Sequence, residues 1–263
     1  MIIFKKIKTF LNLLSHKKFN EIIYLFLINI GVSKTSDFCL FLKYKLNKQP
    51  TNYIYFMHIN KAGGTSLRKS FTQINENSIT KIIHIPHSVK PKHLNFENNN
   101  RYMLNIRDPL QRLNSAFYDR KRQKGLTNPN EIKYFTRFPE INNLGESLSS
   151  KDFNQKKEAL DALKRIVTVN TRLTDWFNIK FLENNKPFFI FELENINIDY
   201  LNFCRKISLN KDIPLKKLNQ NIALKKQELS ELSIRNFRNY LRNDYLIYEY
   251  LLKNKKNIND NFN

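Results

Sequence analysis

Cysteine is nearly absent from the chain: 263 residues carry only Cys39 and Cys204. The two lie far apart and without metal-ligand spacing. A disulfide framework is therefore excluded, and two inert, partly buried thiols in a reducing compartment are expected. Long apolar runs are missing as well. Residues 22–32 are the longest candidate, interrupted by Asn29, and fall short of the roughly 18–20 residues that span a bilayer. Residues 1–14 combine lysines with a short apolar stretch but lack the h-region and small-residue cleavage site of a secretory signal. No HExxH, cysteine cluster or Asp-rich loop occurs, so nothing points to a catalytic metal. The aromatic residues form no RNA-reading motif, which argues against nucleic acid as partner. Acidic side chains are the scarce sign: 23 Asp and Glu against 45 Lys and Arg leave a formal charge of +22. Such an excess implies an anionic partner, although crowding with Asn, Ile and Lys is also what an AT-rich coding sequence produces.

What is present suffices for one α/β domain with an extension. Hydrophobic residues make up 41% of the chain, enough to bury a core. Residues 1–50 read as a helical N-terminal extension ending in the polar stretch KLNKQPTN, and residues 51–263 as the main domain. Two placements suit the basic segments up to residue 32. The preferred one packs them on the domain; the other lays them on the inner, cytoplasmic face of an anionic membrane. In the main domain, short β-branched and aromatic runs at 53–59, 81–87, 101–107 and 186–191 read as strands. They alternate with helical patterns, which predicts a parallel sheet covered by helices on both sides, a doubly wound three-layer α/β fold. Asp108 is a natural N-cap with Pro109 at the first helical position, and Leu110, Leu113 and Phe117 form the core face of that helix. Residues 131–176 are expected to be mostly helical. Residues 152–169 are the clearest piece, with Leu160, Leu163, Ile166 and Val167 as its buried stripe. A further helix is expected over 201–207, and one long amphipathic helix over 228–252.

The most informative stretch is YIYFMHINKAGGTSLRKSF, residues 53–71. Gly63 and Gly64 permit a tight turn and close approach of a ligand, and Thr65 and Ser66 open a helix through Leu67. Strand, glycine turn and helix N-terminus make an anion cradle, to which Lys61 adds a charge. It is not the nucleotide P-loop GxxxxGK[ST]: the lysine precedes the glycines, and no lysine directly follows Gly64. Ligands in open parallel sheets bind beyond the carboxyl ends of the strands. Lys61, His87 and Arg107 follow three successive strand ends, which predicts one pocket holding two cations and an imidazole.

HINKAGGTSL resembles the 5′-phosphosulfate loop, HxPKxGGTSL, of sulfotransferases that use adenosine 3′-phosphate 5′-phosphosulfate (PAPS), with Asn60 in place of proline and Ala62 in place of a common threonine. IRDPLQRLNSAFYDR resembles the family's RDPxxRxxSxF motif for the 3′-phosphate. Weaker similarity extends over about residues 53–250, through DALKRIVTVNTRLTDWF, LKKLNQN and RNDYLIYEY, toward bacterial relatives of the carbohydrate (heparan 2-O-like) sulfotransferases. The resemblance implies a P-loop-like fold and a cofactor site of Lys61, Gly63, Gly64, Thr65, Ser66, Leu67, Arg107 and Ser115. It also implies a histidine base between the two motifs, His87 first and His84 second, with Lys61 stabilising the leaving group. Lys217 and Asn219 of the late LxxLN segment are further candidates at the cleft. His58 is expected to be structural, and His16 and His93 exposed.

The resulting expectation is a cytoplasmic, metal-independent sulfotransferase acting on a hydroxyl of a glycan or glycolipid. Its rivals are a nucleotide-dependent kinase, which shares strand, loop and helix, and a basic module for RNA or an anionic membrane. The acceptor and the oligomeric state stay open.

Overall fold

A computed structural model of the chain describes residues 53–85, 90–91, 94, 101–125, 128–129, 131–209, 213–216 and 228–260. The expected helical extension over residues 1–50 lies outside the described residues, as do His16, Cys39, His87, His93, Lys217 and Asn219.

Four strands, β1 (Tyr53–Met57), β2 (Lys81–Ile85), β3 (Arg101–Ile106) and β4 (Phe189–Glu192), form one sheet in the order β2-β1-β3-β4. All pairings are parallel, with Phe56 opposite His84, Met57 opposite Leu104 and Ile106 opposite Glu192. The fourth strand begins at Phe189 instead of residue 186, although the Phe188 amide already donates to Tyr102 O at 2.6 Å.

Period-two alternation divides the strand residues between two cores. On one side, Ile54, Phe56, Met103, Phe189 and Phe191 meet α1 (Gly64–Asn77) and α7 (Ile196–Lys206) through Leu67, Phe71, Tyr200 and Phe203. On the other, Tyr55, Met57, Tyr102, Leu104 and Ile190 meet α6 (Ile179–Asn184) and α9 (Arg242–Asp260). The result is a three-layer α/β arrangement around a parallel sheet.

A third apolar cluster joins α2 (Pro109–Arg120), α3 (Ile132–Arg137), α4 (Ile141–Ser147), α5 (Phe153–Arg165) and α8 (Glu231–Tyr240). Leu110, Leu113 and Phe117 are buried there as expected, and the Asp108 carboxylate caps α2 by accepting from the Gln111 amide at 2.8 Å. Two expectations are corrected. The α5 stripe is Ala159, Ala162, Leu163 and Ile166, whereas Val167 is 45% exposed, because the helix ends at Arg165 and Ile166 is already extended. The long C-terminal helix is two helices, broken at Leu241. The break lets α8 pack on α4 while α9 runs beneath the sheet to Asp260. Cys204 is partly buried. Among the described residues, no helix is long and apolar enough to cross a membrane.

Asp244, 2% exposed at the start of α9, holds the chain before α6: it accepts from Arg172 Nε and from the Leu173 amide. Removing one partner of a buried pair strands the other charge. Asp244→Ala is therefore expected to cost about 3–5 kcal/mol in urea unfolding.

Candidate functional site

The strand order reverses direction between β1 and β3: the chain leaves β1 toward β2 on one side and continues from β3 to β4 on the other. At such a switch point the connections diverge and leave a crevice at the carboxyl ends. Both sequence motifs lie at that end of the sheet. β1 stops at Met57, and residues 58–63 turn into α1. Lys61 (φ 65°) and Gly63 (φ 81°) both take the left-handed conformation. The helix starts at Gly64, with Gly63 as N-cap, its carbonyl accepting from the amides of Ser66 (3.1 Å) and Leu67 (3.4 Å). Thr65 and Ser66 thus stand in the first helical turn and not at the cap. There the Thr65 amide belongs to the group that a helix leaves without an internal acceptor, whereas the Ser66 amide is already turned to Gly63 O, and both side chains are half-buried.

Contact favours glycine at both positions, and at Gly63 the left-handed backbone adds to it. A Cβ on Gly64 would lie 1.8 Å from the His58 ring, and one on Gly63 2.7 Å from Ile196 and 2.8 Å from Leu193. His58 is buried beneath the helix start, and its Nδ1 lies 3.2 Å from Nε2 of His84. His58 is thus part of the floor of the loop. His84 stands in β2 on the same sheet face as Phe56 and His58, tied to this floor.

Asn105 fixes the loop from the neighbouring strand. Completely buried in β3, it accepts from the Ile59 amide (2.8 Å) and donates to Ile59 O (3.1 Å) and Ala62 O (2.7 Å). Sequence reasoning missed it. The signal was there, an amide in the otherwise apolar end of RYMLNI.

Arg107 follows directly. Its Nη1 donates to Lys61 O at 3.3 Å, bringing together motifs 46 residues apart. Its Nε is buried with no hydrogen-bond partner among the described residues. Burial lowers the guanidinium pKa, while Glu194, in the turn after β4, and Asp108 pull it up. Arg112 is not a ligand group. Its guanidinium, 3% exposed, donates to the carbonyls of Thr168 (3.1 Å) and Thr171 (2.5 Å), and burial brings its pKa down to about 10. Ser115 is buried on α2, and Asp119 stands one turn later on the same face. The Lys61 ammonium reaches across to Asp119 Oδ2 at 3.0 Å.

The structure therefore brings Lys61, Gly63, Gly64, Thr65, Ser66 and Arg107 together at the carboxyl ends of β1 and β3, with Ser115 on the adjoining helix. Leu67 is a core residue of α1, 0% exposed, whose amide but not side chain can face the loop. Lys216, at the start of the late LKKLN segment, donates its amide to Ser70 Oγ on α1 at 2.9 Å. Among the described residues no group of three or more His, Cys, Asp or Glu could hold a metal ion. No family model, curated protein or solved structure matches the chain.

Gly64→Ala is expected to destabilise the domain by about 1–3 kcal/mol, because the new methyl displaces the His58 ring. Removing that ring in the double variant His58→Ala/Gly64→Ala should return part of the loss in thermal or urea unfolding. Asn105→Leu leaves buried backbone groups of Ile59 and Ala62 without partners and should cost about 3 kcal/mol in the same assay.

Proposed function

We propose that the chain is a PAPS-dependent sulfotransferase with a P-loop-like cofactor site, acting on a hydroxyl of a carbohydrate or glycolipid. One observation carries the reading: Arg107 of the RDP motif donates to the backbone of Lys61 in the GGTS loop, at the switch point of a parallel sheet. Two anion-binding elements at a fixed separation suit a ligand with two anionic ends. The buried Arg107 Nε, without a partner among the described residues, fits a site that is completed by an anion.

When bound, PAPS would supply an activated sulfonate on a phosphosulfate anhydride. The amides at the start of α1 and the hydroxyls of Thr65 and Ser66 would hold the 5′ end, by hydrogen bonds and by the positive end of the helix. Arg107 and Ser115 would hold the 3′-phosphate, the guanidinium through two parallel bonds. Lys61 would neutralise the charge that develops on the leaving oxygen, the contribution most valuable in a transfer with little covalent catalysis. The acceptor hydroxyl must lose its proton as the new S–O bond forms, and His87 is the proposed base, with His84 the alternative. His84 would act with His58 as its hydrogen-bond partner.

Isothermal titration with adenosine 3′,5′-bisphosphate (PAP), the shared product, tests the reading, with ATP and magnesium as control. Micromolar PAP affinity without comparable ATP affinity is expected. A preference for ATP would replace the reading with the kinase. Lys61→Ala should weaken PAP about 10-fold or more and Arg107→Ala about 10- to 100-fold, the range for losing a charged hydrogen bond. Unaltered affinity in both variants would sink the assignment.

A further inference from the structure

Resting on the sulfotransferase reading, we infer that Asp119 is a positioning residue that holds Lys61 in a resting place on α2 and yields it to the incoming anion. The observation is an inconsistency between the role proposed for Lys61 and its present partner. A lysine that neutralises a leaving oxygen must direct its ammonium into the cradle. Here the ammonium sits 3.0 Å from Asp119 Oδ2, with 23% of the lysine side chain and 13% of the aspartate exposed. A half-buried pair is screened less than a surface one, so the contact restrains the lysine.

The surroundings of Asp119 make the release inexpensive. Its other oxygen, Oδ1, accepts from Arg122 Nη2 at 2.8 Å, and Oδ2 also accepts from Gln123 Nε2 at 3.1 Å. When Lys61 leaves, the carboxylate keeps a guanidinium and an amide, and no unpaired charge is stranded. Lys61 is also mounted for such a movement. Its backbone is fixed in the left-handed region, and Arg107 anchors its carbonyl, while four methylenes separate the ammonium from this rigid base. The ion pair and the ligand therefore compete for one cation, and removing the competitor must tighten the ligand.

The chemistry of the competitor points to an anionic displacing ligand: a phosphosulfate or bisphosphate brings more negative charge to the ammonium than a carboxylate already shared with Arg122. Pairing with Asp119 also offsets the repulsion between the Lys61 ammonium and the nearby Arg107 guanidinium.

A double-mutant cycle read by PAP titration tests this. Asp119→Asn keeps the shape of the side chain and removes its charge. It should bind PAP about 3- to 10-fold tighter than the unmodified protein, and the gain should vanish when Asp119→Asn is placed in a Lys61→Ala background. An equal gain in both backgrounds would show simple repulsion between Asp119 and the anion and would overturn the inference. So would unchanged or weaker binding in Asp119→Asn with a lowered Tm, the signature of a structural role only. Loss of PAP binding already in the unmodified protein would overturn the sulfotransferase reading together with this inference. Normal PAP binding with a flat cycle would overturn this inference alone.

Discussion

The cradle depends on one buried amide. Asn105 satisfies three backbone groups of the segment between β1 and α1 from a position inside the sheet, where water cannot replace it. A turn containing two left-handed residues has no regular ladder for its own backbone groups, and buried backbone groups must be paired somewhere. The side chain of the adjacent strand takes that role. Residue 105 can do so because β1 and β3 are neighbours in the sheet although β2 comes between them in the chain. Two residues further on, Arg107 repeats the connection at Lys61. Thus both motifs are held in mutual register by the same pair of strands.

Charge is organised at this end of the sheet by pairing. Lys61 faces Asp119, Arg107 faces Glu194 and Asp108, and Arg112 has Asp244 nearby. A cation that loses water on burial needs a carboxylate, a carbonyl or a bound anion in exchange. Arg112 has two carbonyls and is a structural brace for residues 168–171. Arg107 is the one whose exchange is incomplete, with a buried Nε lacking a partner among the described residues. The formal charge of +22 does not distinguish these cases, since each depends on which carboxylates arrive from other parts of the chain.

The steric logic of the glycines follows the same pattern. The GG pair in the sequence announces a tight turn, and a tight turn is found. What each glycine avoids, His58 beneath Gly64 and the Leu193 and Ile196 side chains against Gly63, comes from the end of β1 and from the turn after β4. The latter is held by Lys255 of α9, which bridges Glu192 and Asp199 at 2.8 Å each. A contact made by the C-terminal helix thereby supports a wall of the cradle.

Much of the local structure was legible in the residues. Four apolar runs became four parallel strands, Asp108 and Pro109 started a helix, and Leu110, Leu113 and Phe117 were buried. These follow from short-range rules: a two-residue period, a capping carboxylate, a stripe at helical spacing. The long helix expected over residues 228–252 failed at Leu241, because two different surfaces, α4 and the underside of the sheet, each claim one half of it. The α5 stripe shifted because small alanines at 159 and 162 pack closely where periodicity alone favoured larger side chains. The sequence by itself determined the α/β class, the strand–loop–helix of residues 53–71 and the helix that Asp108 and Pro109 start, each element encoded within a short stretch of its own. Only the tertiary structure decided that β1 and β3 lie side by side, that Asn105 pins the loop and that Asp119 holds Lys61. Those partnerships join residues about 40 to 60 positions apart, and no local propensity specifies them; they follow from the strand order and the burial it imposes.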